Sequence, residues 1–275
     1  SNGALSMGTR NHITVCKSVP SVIYFARYSG SSITVFKSTN AGSTFSQIVS
    51  GQNFSGSQAW YDFYMHVNPF DPNYAYVGSV DIWRTTNGGV SNFTNITNGY
   101  GGGNVHVDQH NVDFHPTDAN QMICVNDGGI WKSANKGTNW TNLNTNLTLT
   151  QFYRIASDPS NANHILGGTQ DNGTQRTIGT LNWTAAYGGD GGEVCFHAKN
   201  NSYILGETQN NGVFRSTDGG ISWGSAESGI SGSGTWIGPI ISHPDSNGIF
   251  YTARQQVFQS TNWGASWSPI SSGTS

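Results

Sequence analysis

The stretch Ser133-Ala-Asn-Lys-Gly-Thr-Asn-Trp140 has near copies at Ser38-Thr-Asn-Ala-Gly-Ser-Thr-Phe45, Ser216-Thr-Asp-Gly-Gly-Ile-Ser-Trp223 and Ser260-Thr-Asn-Trp-Gly-Ala-Ser-Trp267. A fifth copy, Thr85 to Phe93, carries one extra residue, and a sixth, Thr177-Ile-Gly-Thr-Leu-Asn-Trp183, is worn down. The closing aromatics Phe45, Phe93, Trp140, Trp183, Trp223 and Trp267 follow one another at intervals of 48, 47, 43, 40 and 44 residues. A second marker keeps the same beat. Proline turns fall at Pro20, Pro69, Pro116, Pro159 and Pro244, with Ala198 in the fifth place, and each is followed by a β-rich run: VIYFA, YAYVG, QMICV, HILGG, YILGE or IFYTA. Two independent markers with one period predict an all-β chain, a six-bladed β-propeller of four-stranded antiparallel blades. The blades are expected near 11–60, 61–109, 110–152, 153–192, 193–238 and 239–275, as one propeller over 1–275.

The repeated turn has a physical logic. Its third residue is Asn40, Asn87, Asn135, Asp218 or Asn262, whose side chain can accept hydrogen bonds from the amides that follow. The glycine two positions later supplies a positive φ, and the closing aromatic starts the next strand and packs between sheets. Each turn is preceded by an apolar residue and a base (Phe36-Lys37, Trp83-Arg84, Trp131-Lys132, Phe214-Arg215), which alternation places in the core and outside it, respectively.

Composition narrows the function classes. Charged residues make up 10% of the 275, against about 25% in an ordinary soluble domain. The net charge is −3 without a basic run, so no nucleic-acid partner is expected. No stretch approaches the roughly 20 apolar residues of a membrane helix. The polar opening, residues 1–11, reads as carrying no targeting segment, and residues 1–10 are available to add a strand. Cys16, Cys124 and Cys195 are odd in number, lack CxxC spacing and sit in apolar runs, so they read as small buried hydrophobes.

The S-x-D-x-G-x-[ST]-W turn resembles the Asp-box, or BNR repeat, found in sialidases, sortilin-type (VPS10) propellers and family 74 glycoside hydrolases. The segments HVDQHNVDFHP, VNDGGIWKS, LGGTQDNGT and GGDGGEV resemble secreted bacterial members with sortilin-like propellers. The resemblance covers nearly the whole chain and implies a propeller with structural Asp-box turns, secreted or on the cell surface. It does not fix an activity, because those families include enzymes, receptors and structural proteins.

With the proline turn joining strands A and B and the repeated turn joining C and D, the B–C loops and the lead-ins to strand A share the opposite rim. The B–C loops carry Asp81, Asp127, Asp171, Glu207 and Asn210; the lead-ins carry Asp108, Gln151, Asp190 and Glu193. Asp127, Gln151, Asp171, Asn210 and Trp236 are the candidate ligand-binding residues, and Asp108 and Asp190 the candidate catalytic pair. In a strand His106, Asp108 and His110 would face one way, as metal ligands or as a polar strand start whose histidines bond to neighbouring loops. NDGG, QDNG and GGDGG read as Asx-type turns or as pieces of calcium loops; calcium is thus possible and no cofactor is required.

Three functions stay open. A recognition module would bind glycan or an extracellular protein or peptide through aromatics such as Trp60, Tyr61, Tyr100, Tyr187 and Trp236. A glycoside hydrolase would use paired carboxylates. The arginine-containing motif that precedes the first sialidase Asp-box is not visible, and family 74 enzymes use two facing propellers. An adhesive or structural surface protein would need only the scaffold.

Overall fold

The computed structural model describes residues 7–49, 51–55, 57–147 and 150–272. Six four-stranded antiparallel sheets run through their strands in chain order, and among the described residues the only helical elements are 3-10 turns at Gly99–Gly101 and Asn144–Asn146. The chain is an all-β, six-bladed β-propeller by class, as the doubled repeat predicts. It divides into two compact units, Ser1–Leu149 and Thr150–Ser275, with three blades in each.

In the first unit, strands A to D of blade one are Arg10–Val15, Ile23–Tyr28, Ile33–Ser38 and Ser46–Val49. Those of blade two are Tyr64–Val67, Ala75–Gly78, Ile82–Thr85 and Thr94–Asn95, and those of blade three Gln109–Phe114, Met122–Asn126, Gly129–Ser133 and Thr141–Asn142. Residues 1–6, part of the segment available for an added strand, lie outside the described residues. In the second unit, blade four is Phe152–Asp158, Asn161–Thr169, Gly173–Ile178 and Thr184–Tyr187. Blade five is Gly191–Phe196, Ile204–Thr208, Gly212–Ser216 and Gly224–Ser225, and blade six Ile240–Ser242, Phe250–Ala253, Val257–Ser260 and Ser268–Pro269.

The β-rich runs form strand B of each blade. Ala75–Gly78 is buried at all four positions and Ile204–Thr208 at its first four, so these two read as continuous apolar runs, whereas Met122–Asn126 and Phe250–Ala253 alternate. The core lies between successive blades: one cluster joins Tyr24 and Val35 to Met65 and Val77, and another joins Leu205 and Val213 to Phe250 and Phe258. The three cysteines are free thiols, Cys16 and Cys124 buried and Cys195 half-buried.

Five of the repeated turns share one hydrogen-bond pattern. In blade three the Ser133 hydroxyl donates to Asn135 Oδ1 at 3.0 Å and accepts from the Gly137 N–H at 2.8 Å, while the Asn139 N–H donates to Asn135 Oδ1 at 2.8 Å. Asn40, Asn87, Asp218 and Asn262 repeat it, with Thr85 in place of serine in blade two. The fourth turn residue is left-handed as well as the fifth, even where it is Ala41, Lys136 or Trp263. That geometry leaves its carbonyl available to the preceding blade. Lys37 Nζ donates to Gly88 O, Arg84 Nη1 to Lys136 O and Arg215 Nη1 to Trp263 O, at 3.1, 2.7 and 3.4 Å. Three of the four bases expected on the outside are therefore inter-blade ties, while Lys132 is exposed as expected. Blade four lacks the pattern. There Asp158 instead accepts from Asn201 Nδ2 at 2.7 Å and from His164 Nδ1 at 3.2 Å.

Candidate functional site

In the first unit, Gln58–Asp62 turns tightly into strand A of blade two, with the Tyr61 N–H donating to Gln58 O at 2.8 Å. The Asp62 carboxylate, 1% exposed, accepts from Ser79 Oγ at 2.9 Å and from Gln58 Nε2 at 3.3 Å. The same Gln58 amide donates to Asp108 Oδ1 at 2.5 Å, joining the lead-ins of blades two and three. Asp127, in the B–C loop of blade three, accepts from the Tyr61 hydroxyl at 2.9 Å and pairs with His110 Nε2. Tyr61 also meets the His110 ring edge-on at 5.2 Å, and Trp60 lies 5.8 Å from Tyr61 with 69% of its surface exposed.

Burial pushes the Asp62 carboxyl up to about 7; the Ser79 hydrogen bond opposes this and the Asp108 charge adds to it. Burial also raises Asp108, against the Gln58 hydrogen bond. The hydrogen bond to Asp127 and its charge raise His110. The linkage for Asp62 has a definite sign. Unfolded, an aspartate ionises near pH 4, whereas folded Asp62 keeps its proton to about 7. The folded state therefore binds more protons between these values, and stability falls as pH rises through that window. Asp62 by itself is expected to pull the melting temperature down by a few degrees from pH 4.5 to pH 7.5, whereas His12, His66 and His197, lowered by burial, act in the opposite direction. Asp62→Asn, which keeps an acceptor for Ser79, should flatten part of that slope. Asp108, Glu193 and Glu207 are raised too, so the readout is the difference between parent and variant. Parallel curves would refute a protonated Asp62.

In the second unit, Asp190 Oδ1 accepts from the Asp171 N–H at 2.8 Å and from Gln170 Nε2 at 3.4 Å, and the Asp190 N–H donates to Gln209 Oε1 at 3.1 Å. Asp190 thereby ties the B–C loops of blades four and five. Gln151 is exposed, and its carbonyl accepts from the Gln170 N–H at 3.0 Å. Asn210 is exposed and left-handed, with φ +64°, and its N–H donates to Trp236 O at 3.0 Å. Trp236 is 49% exposed and donates from Nε1 to the Tyr153 hydroxyl at 3.2 Å.

The His106–Asp108–His110 row does not lie in one strand. Strand A of blade three begins at Gln109, and Asp108 has φ +64°, so period-two alternation does not reach back to His106. His106 Nδ1 contacts Val107 O, His110 turns to Asp127, and neither histidine joins Asp108 in a metal-sized group among the described residues. Two rim acids are internal fasteners. Asp81 accepts from Asn95 Nδ2, Thr97 Oγ1 and the Gly99 N–H, each at 2.8 Å, and Glu207 is fully buried. Sequence reasoning passed over Asp62, Gln58 and Glu227. Asp62 follows Tyr61 seven residues before Pro69, one step off the register of Asp108 before Pro116, and a search allowing that offset would have found it.

Among the described residues no helix is long and apolar enough to cross a membrane. No family model and no curated protein matches the chain. Among solved structures it is similar to the GH74 enzyme of Niastella koreensis, at 19% identity over 94% of this chain and 46% of that one, with a TM-score of 0.40. It is similar to the GH74 xyloglucanase of Xanthomonas campestris at 16% identity over 94% and 46%, TM-score 0.39. It is also similar to YCF48 bound to D1 peptide at 12% identity over 94% and 81%, TM-score 0.37. The chain thus spans just under half the length of these two GH74 enzymes.

Proposed function

We propose that this chain is a secreted or cell-surface propeller of the Asp-box kind that recognises glycan or an extended peptide through the loops around Trp60, Tyr61, His110 and Asp127. The observation that carries this is Trp60, an open aromatic face beside Tyr61, whose hydroxyl is anchored on a carboxylate. An aromatic platform next to hydrogen-bonding groups suits a sugar ring or a peptide side chain. The burial of Asp62 and Asp108 supports binding over hydrolysis, since a general acid must reach the bond it cleaves. Asp171, Asp190, Asn210 and Trp236 form a second polar stretch open to the same kind of ligand.

The test is a screen on glycan and peptide arrays, with and without calcium, combined with an assay for released reducing ends. Trp60→Ala is expected to weaken the captured ligand by at least about tenfold, in line with losing a stacked aromatic anchor, at unchanged melting temperature. Binding equal to the parent would overturn the reading. Release of reducing ends, abolished by Asp108→Asn or Asp190→Asn, would replace it with glycoside hydrolysis.

A further inference from the structure

A cleft of about 420 Å³ opens in the second unit, lined by Gln209 and Asn210 from the B–C loop of blade five, Glu227, Ser233 and Gly234 from the connection to blade six, and Arg254 at the end of strand B of blade six. Arg254 frames it. Its side chain is 13% exposed, with Nη2 donating to Asn211 O at 2.8 Å and to Glu227 Oε1, and Nη1 to Gly232 O at 3.2 Å. These contacts fasten the loop of blade five to the connection. Gly234 lets the two backbones close up: a Cβ there would stand 2.2 Å from Asn210 O. Beneath, Glu207 Oε2 accepts from the Asn211 amide at 2.6 Å and the Gly238 N–H at 3.0 Å, so the walls are fixed before any ligand arrives.

The polar groups left over select a chemistry. Arg254 Nη1 spends one N–H on Gly232 O and keeps the other, while Nε is buried without a hydrogen-bond partner. The Glu227 carboxylate is 42% exposed and spends Oε1 on Arg254. Gln209 uses its Oε1 on Asp190, which leaves its amide N–H groups, and the Asn210 side chain and Ser233 hydroxyl lie at the surface. Anionic ligands meet Glu227 and cationic ones meet Arg254, each a like charge at close range. A neutral hydroxyl both donates and accepts, so one group can satisfy the carboxylate and the guanidinium together. The volume lies within the range of small-ligand clefts.

We propose that this cleft is a binding site for a neutral saccharide, with Glu227 and Arg254 reading a hydroxyl and Asn210 and Ser233 its neighbour. The site is built wholly from the second unit and does not depend on the Trp60 loops.

The experiment is NMR titration of the isotopically labelled full chain with glucose, galactose, mannose and cellobiose, with glucuronate and glucosamine as charged probes. Neutral sugars are expected to shift the resonances of Asn210, Glu227, Ser233 and Gly234, and both charged probes to bind at least about tenfold more weakly. Glu227→Gln should raise glucuronate relative to glucose by about tenfold, because Arg254 then faces an anion uncompensated. Asn210→Gly keeps the left-handed backbone, melts like the parent and should weaken neutral sugars about fivefold through a lost hydrogen bond. Trp60→Ala should leave these shifts unchanged, so failure of the Trp60 reading and failure of this one are told apart. Absence of shifts at the cleft with every neutral sugar, or glucuronate binding as well as glucose to the parent, would overturn the proposal.

Discussion

Gly168→Ala is expected to cost at least about 3 kcal/mol of stability, at the upper end for inserting one methyl into a packed interior. Gly168 lies on strand B of blade four, and a Cβ there would stand 2.0 Å from Gly192 O and 2.6 Å from Gly191 C. Those atoms belong to strand A of blade five, and they are backbone, so no side chain can swing away. The contact is mutual: a Cβ on Gly191 would stand 2.8 Å from Gly168 Cα and 2.5 Å from Gly173 O. Gly168 has no positive φ, so the cost is steric and not one of backbone conformation. Gly188 is the matched control. It has no atom within 4 Å of its virtual Cβ and no positive φ, so Gly188→Ala should change stability by no more than about 0.5 kcal/mol. Urea denaturation of the two variants against the parent decides it. Similar midpoints for all three would mean that the seam between blades four and five yields to a methyl group.

That seam also marks the limit of what a sequence makes legible. The repeated turns are readable because their hydrogen bonds close within a few residues, Ser133 to Gly137 or Asn135 to Asn139, so the residue types recur wherever the turn does. Period and blade count follow from that recurrence. The glycines of LGG and GGDGG carry no such local signature. Those of GGDGG read as turn or ion-loop residues and those of LGG as part of a β-rich run, yet at Gly168 and Gly191 two backbones from different blades touch, and a Cβ on Gly192 would meet the Glu207 side chain. The same holds for Lys37, Arg84 and Arg215, whose role as ties depends on a carbonyl in the next blade. Among the candidate site residues, counting back from the proline turn put Asp108 next to a strand start, but alternation failed for the His106–Asp108–His110 row, because one left-handed residue resets the facing of everything before it. Asp62 escaped for a related reason: shifting a lead-in by one residue breaks the register on which equivalence between blades was judged.

Glu207→Leu is expected to destabilise the chain by about 4 kcal/mol, the sum of several orphaned donors at roughly 1–3 kcal/mol each. Glu207 sits in strand B of blade five with no exposed surface. Its Oε1 accepts from the Glu193 N–H at 2.9 Å, and its Oε2 accepts from the Asn211 amide and the Gly238 N–H. Leucine has similar volume but no acceptor, so two backbone N–H groups would lose their partner and the Asn211 amide would keep only its 3.4 Å bond to Thr252 Oγ1. Burial raises the pKa of the carboxyl, which shows that the site taxes its charge, but three converging donors still require acceptors in either protonation state. Glu207→Gln keeps one oxygen for two of these donors and should cost only about 1–2 kcal/mol, the loss of a single hydrogen bond. Glu193, in strand A of the same blade, is the contrast. Its carboxylate is 3.3 Å from Arg154 Nε, but that arginine side chain is 59% exposed, so Glu193→Gln should stay within about 1 kcal/mol of the parent. Because Glu207 anchors both Asn211 and Gly238, its loss frees the loop of blade five from the connection to blade six. Glu207→Leu should therefore also abolish the sugar-dependent shifts at Asn210 and Gly234, even in the temperature range where the chain remains folded. A leucine variant as stable as the glutamine variant, with those shifts intact, would show that the carboxylate is not what holds the two segments together.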